Sequence, residues 1–217
     1  DAKLIKLGDV SHDQAFKSSA RVNMLTGSAL CEAHQVNALD PESLGKFLED
    51  VDVLLSCVPY WMHPKIAKVA ISCGVNMCDL GGNTEITMET LHMDEMAKDA
   101  NVTLVPDTGL APGLVNSLGL AIIEQLDTAE TVCMYCGVLP QNPVPPLNYK
   151  TTFNVEGLVT EYDYEAVALR DHEIIMVPTL TELEELDIDA VGKMEAFVTS
   201  GGTSTAPYTL KDQGKVK

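Results

Sequence analysis

Short apolar runs alternate with helix-spaced segments from Lys3 to Gly137, and that rhythm leaves few folds open to the chain. Lys3 to Leu7 reads as a first strand, with Gly8 and Asp9 at its end. Ser11-His-Asp-Gln14 has the S-x-x-Q form of a capping box, so a helix is expected to start there. Further strands are expected over Ala29 to Val36, Asp52 to Cys57, Val75 to Leu80, Val102 to Pro106 and Thr131 to Gly137. Between them, helices are expected after Asp40-Pro41-Glu42, from Pro64 to Gly74, over Met88 to Ala100 and over Pro112 to Leu126. This pattern predicts an α/β fold with a doubly wound, Rossmann-type parallel sheet.

The grammar changes at residue 138. Leu139-Pro-Gln-Asn-Pro-Val-Pro-Pro146 is a connector unsuited to helix or central strand. After it come a helix near Val155 to Tyr162 and a hairpin, Ala166 to Leu169 with Ile174 to Val177, turning at Asp171-His172. A last strand, Met194 to Thr199, runs into Gly201-Gly202, and no closing element is expected after it. Two domains are therefore expected: a Rossmann-type dinucleotide-binding domain over 1–137, and an α+β domain with antiparallel sheet over 138–217.

Composition narrows the functions. With 32 Asp and Glu against 14 Lys and Arg, the formal charge of −18 opposes binding to nucleic acid or anionic membranes. No apolar run reaches the roughly 18 residues of a membrane span, and no signal segment opens the chain, so a cytoplasmic protein is expected. Cys133 and Cys136 form a C-x-x-C without a second pair, which does not complete a four-ligand metal site, and all six cysteines are read as reduced.

A doubly wound sheet binds its ligand beyond the carboxyl ends of its strands. Those ends carry Asp9, then Cys57-Val58-Pro59-Tyr60, then Asp79-Leu80-Gly81-Gly82, then Pro106-Asp107-Thr108-Gly109-Leu110-Ala111-Pro112-Gly113. Asp9, with no Arg after it, suits a ribose 2′-hydroxyl and repels a 2′-phosphate, which favours NAD over NADP. A G-x-G-x-x-G turn is expected about 20 residues before such an acid, but only eight residues precede Asp9, so the sequence is expected to lack the central first strand. Gly109 and Gly113 permit close backbone approach, and a helix begun by Pro112 offers free N–H groups to a substrate carboxylate.

Taken in order, Cys78-Asp-Leu-Gly-Gly82, Val105-Pro-Asp-Thr-Gly-Leu-Ala-Pro-Gly-Leu-Val-Asn116, Gly137-Val-Leu-Pro140, Pro145-Pro-Leu-Asn-Tyr149, Phe153-Asn-Val-Glu-Gly-Leu158, Glu195-Ala-Phe197 and Thr199-Ser-Gly-Gly-Thr-Ser-Thr205 resemble the saccharopine dehydrogenase-like family, most closely its lysine 6-dehydrogenases. The resemblance implies hydride transfer between a carbon bonded to nitrogen and a nicotinamide, NAD with NADP as the alternative, on a lysine-type amino acid. It implies Val58, Pro59, Tyr60, Leu80 and Gly81 in the cofactor pocket, Asp107 holding or deprotonating the substrate amine, and Asp79 second in that role. Tyr149, Thr203 and Ser204, with Gly109 and Gly113, are the implied substrate contacts, and a homodimer is the implied assembly. His63 reads as a capping or solvent-facing side chain, and Arg21 and Arg170 lie away from the strand ends, so no carboxylate clamp is identified. Two rivals stand beside this reading: a saccharopine or carboxynorspermidine dehydrogenase, and a non-catalytic binding protein that keeps the fold.

Overall fold

Strand and helix alternate as expected in the computed structural model of the chain, which describes residues 2–216 apart from 138, 147, 152, 164, 190 and 215. The expected domain boundary at 138 thus falls on a residue outside that set. Two units emerge: Asp1–Cys78 with Thr90–Leu104, and Asp79–Glu89 with Val105–Lys217. The division lies near residue 105, ahead of the proline-rich connector. The reason is that the helix after residue 113 shares a small core with the last helix of the chain.

The first unit opens with β1 (Ile5–Asp9), α1 (His12–Thr26), β2 (Cys31–Gln35) and α2 (Pro41–Phe47). β1 and β2 pair in parallel, Ile5 opposite Cys31 through Asp9 opposite Gln35. The capping box expected at Ser11 does not form. Asp9 Oδ1 accepts the Ser11 N–H at 2.7 Å instead. Asp40 does cap α2, its carboxylate accepting from Glu42 N at 3.2 Å, with Pro41 at the first helical position.

β3 (Val53–Ser56), α3 (His63–Cys73) and β4 (Asn76–Asp79) follow. The helix expected over Met88 to Ala100 is two helices, α4 (Thr84–Leu91) and α5 (Asp94–Asp99). Between them the chain tightens into a turn, the Met93 N–H donating to the Thr90 carbonyl at 3.1 Å, and Met93 is 5% exposed in the core. β5 (Leu104–Val105) completes a sheet of order β3-β4-β5. Among the described residues no ladder joins β1 to β3. The core of this unit is apolar: Leu44 and Leu48 from the α2 segment, Ile66, Ala67, Ala70 and Ile71 from α3, and Met77 from β4 pack together. The alternation of α3, with its apolar residues spaced three and four apart, is what lays that stripe against the strands.

In the second unit, α6 (Leu114–Ile123) packs Ile123 against Leu210, Ala129 and Val216. The strand expected over Thr131 to Gly137 is irregular chain, and Cys133 and Cys136 are both exposed and free. α7 (Val155–Asp163) leads to an antiparallel hairpin, β6 (Glu165–Arg170) and β7 (Glu173–Pro178). Its turn residues Asp171 and His172 have φ of 48° and 63°, as a two-residue type I′ turn requires. A second hairpin, β8 (Glu184–Ile188) and β9 (Gly192–Ala196), and a closing helix, α8 (Ala206–Gln213), follow. Neither β8 nor α8 is expected from the sequence reading above. α8 does carry a signal, Pro207 near its start and Gly214 at its end.

Candidate active site

Asp79 ends β4 and organises the turn that follows β5. Only 2% exposed, its Oδ1 accepts the N–H of Gly81 at 2.8 Å and of Asp107 at 3.1 Å. Its carbonyl accepts both the N–H and the hydroxyl of Thr108, each at 2.7 Å. A buried acid must find such donors, and here it spends them holding two neighbouring loops in register.

Asp107 is the result of that arrangement. Its backbone lies in the left-handed region, φ 60°, uncommon outside glycine. The side chain turns inward, where Thr87 of α4 donates to Oδ1 at 2.8 Å and Ser204 donates to Oδ2. Burial pushes its carboxyl above the ordinary value; the Ser204 and Thr87 hydroxyls pull it back down, and the neighbouring Asp79 carboxylate pushes it up. Gly81 is indispensable beside it: φ is 74°, and a Cβ there would collide with Asp107 Oδ1.

Asp107 lines a cavity of about 490 Å³ whose other walls are Pro112, Leu114, Leu120, Met134 and Leu210. Its polar lining includes Asn116, Ser117, Ser204 and Thr209. An acid at the edge of an aliphatic cavity suits a cationic amine on an alkyl chain. The expected carboxylate site at the start of α6 is weaker than the sequence suggests. The helix begins at Leu114, not Pro112, and the N–H groups of Leu114 and Val115 already donate to the Gly109 and Leu110 carbonyls. Asn116, which the sequence reading missed, accepts from Gly113 N at 2.9 Å and donates to the Thr203 carbonyl at 2.8 Å.

The other expected residues fall into place separately. Gly109 and Gly113 bridge each other at the turn. Thr203 donates its hydroxyl to the Val167 carbonyl at 3.1 Å. Tyr149 is not part of the cavity wall, yet its hydroxyl is buried without a hydrogen-bond partner among the described residues. Leu80 is 43% exposed at the β4 end. Arg170 pairs with Glu182 at 2.6 Å. Thr87 is the residue that sequence reading missed outright: a Thr in mid-helix has no motif, and its partner stands 20 residues on.

In the first unit, Asp9 closes β1, and Val58, Pro59 and Tyr60 follow β3, all half-buried. The Ser11 contact fixes the Asp9 carboxylate at the mouth of a β-to-α turn, a position that suits a ribose. The 217 residues contain no G-x-G-x-x-G. His63 is a correction: it is 2% exposed, and its Nδ1 lies 3.0 Å from Ser56 Oγ, a buried pair tying α3 to β3. Its place beside Pro64 at the head of a helix that packs into the core explains the burial. Among the described residues no cluster suits a metal ion, and no helix is long and apolar enough to cross a membrane.

Comparison with known proteins agrees along the whole chain. Residues 5–105 match the saccharopine dehydrogenase NADP binding domain, and residues 109–216 match the saccharopine dehydrogenase C-terminal domain. The chain is 29% identical over 142 residues to the mitochondrial alpha-aminoadipic semialdehyde synthase of Rattus norvegicus, covering 63% of this chain and 15% of that protein. It is 25% identical over 172 residues to the saccharopine dehydrogenase [NADP(+), L-glutamate-forming] of Saccharomyces cerevisiae, 76% of this chain and 38% of that one. A carboxynorspermidine synthase of Vibrio cholerae is 23% identical over 194 residues, 82% of this chain and 45% of that one. The fold matches apo saccharopine dehydrogenase from Saccharomyces cerevisiae with a TM-score of 0.65 at 17% identity, over 99% of this chain and 53% of that one. The chain therefore spans well under two thirds of the relatives it matches. The expected nicotinamide cofactor is supported at the level of NAD(P).

Proposed function

Because the chain belongs to the saccharopine dehydrogenase-like family, we propose that the full-length protein is an NAD(P)-dependent oxidoreductase acting on a C–N bond of a lysine-type amino acid. The observation that carries this reading is Asp107, a half-buried carboxylate at the wall of an aliphatic cavity. Its raised affinity for a proton makes it a stronger base than an ordinary aspartate. In this mechanism the substrate ammonium docks against Asp107, whose carboxylate takes a proton from nitrogen. A nicotinamide, when bound, would accept the hydride from the carbon next to nitrogen, the freed lone pair closing the C=N bond. Water then hydrolyses the imine.

The other residues divide by role. Asp79 positions the Asp107 turn and does not touch substrate. Asp9, Val58, Pro59 and Tyr60 are the cofactor contacts of the first unit, and Leu80 and Gly81 are assigned to the cofactor by the family resemblance alone. Gly109 and Gly113 shape the cavity. A second reading, oxidation of the secondary amine saccharopine, gains weight from the names carried by the relatives. The assay follows cofactor reduction at roughly 340 nm by the full-length protein, with L-lysine and saccharopine each paired with NAD and NADP. Turnover with lysine is the expected result. Turnover with saccharopine alone selects the second reading, and silence with both, together with absent cofactor binding, refutes the catalytic role.

A further inference from the structure

Asp107 is gripped in a way that amine deprotonation alone does not explain. Thr87 and Ser204 reach it from α4 and from the loop before α8, positions 20 and 97 residues away in the chain, and each takes a different oxygen. Both are closed to water, at 4% and 2% exposure. The Thr87 hydroxyl has one proton and two acceptors, the Asn83 carbonyl at 3.1 Å and Asp107 Oδ1 at 2.8 Å. The shorter, charged acceptor takes it. Ser204 is held in the left-handed region, φ 42°, an unusual backbone for a serine that aims its hydroxyl at the carboxylate.

Two donors on two oxygens discriminate between protonation states. An ionised carboxylate accepts both bonds, whereas a protonated one carries a proton of its own on an oxygen that already faces a donor. Burial favours the neutral acid, and the hydroxyls oppose it. We propose that Thr87 and Ser204 are positioning residues, a two-hydroxyl clamp that keeps the buried Asp107 carboxylate ionised and fixed in orientation to receive a proton from a cationic amine. The last clause rests on the functional reading above; the clamp itself does not.

The test uses the full-length protein with Thr87→Val, Ser204→Ala and the hydroxyl-restoring Thr87→Ser. Carbon-13 NMR follows titration of the Asp107 carboxyl, its signal assigned by its loss in Asp107→Asn, and needs no turnover. The pH profile of kcat/KM with the amine substrate is the second readout. Thr87→Val and Ser204→Ala are each expected to move the carboxyl titration, and the acidic limb of kcat/KM, upward by about one pH unit, while Thr87→Ser restores both. If Thr87→Val loses its fold by circular dichroism, Ser204→Ala carries the same expectation. A titration unmoved in folded variants overturns the clamp whatever the activity. A titration that moves in a protein without amine turnover sustains the clamp and refutes the functional reading instead.

Discussion

Adding one methyl group at Gly81 tests the packing around Asp107 with an internal control. Gly81 has φ 74°, and a Cβ there would meet Asp107 Oδ1, with Pro112 Cγ at 2.7 Å. Gly214, at the end of α8 in the same unit, has φ 64° and nothing within 4 Å of its would-be Cβ. Gly214→Ala therefore meets only the left-handed backbone penalty, about 1 kcal/mol. Gly81→Ala meets the same penalty and must also displace the oxygen that accepts the Thr87 hydroxyl. Losing a hydrogen bond to a charged group costs about 1.5–3 kcal/mol, so the expected destabilisation is about 2.5–4 kcal/mol. Urea unfolding followed by far-UV circular dichroism reads both variants. Equal midpoints for Gly81→Ala and Gly214→Ala would refute the reasoning, because the backbone penalty would then be the whole effect.

Three further outcomes follow from the same structure. Asp107 has its proton affinity raised by burial, so between the ordinary aspartate value and its raised folded value the folded state keeps a proton that the unfolded state has lost. Stability falls as pH rises through that window, and Asp107→Asn is expected to abolish that fall and to match or exceed the wild type in urea at neutral pH. Ile66→Ala, at a side chain 2% exposed in the first core, is expected to cost about 2–5 kcal/mol in the same assay. Asp9→Ala is expected to weaken NAD about tenfold while leaving NADP unchanged or tighter, read by calorimetric titration of the full-length protein.

The fold was largely legible because its signals are local. Asp40-Pro41 caps α2, Gly74 ends α3, and Asp171-His172 sets a two-residue turn, each through backbone preferences of its own residues. What failed depended on which partner each group finds. The expected helix splits at a turn where the Met93 N–H donates to the Thr90 carbonyl, and the Ser11 N–H goes to Asp9, two residues back. The strand expected over Thr131 to Gly137 had suitable residues but pairs with no neighbour among the described residues. At the site, Asp107 and Asp79 stood out by their strand-end positions. Their division of labour did not, since it is set by which acid meets backbone N–H groups and which meets hydroxyls. Thr87 and Asn116 were invisible for the same reason, as each gains its meaning from a partner in another element.

The most direct test of Asp107 as the proton acceptor is kcat/KM of the Asp107→Asn variant against wild type, in the full-length protein with whichever amine turns over. The expected result is a loss of about 100-fold or more, carried by kcat, with cofactor affinity unchanged. Wild-type turnover in Asp107→Asn would contradict the assignment and return the search for the base to other groups of the second unit.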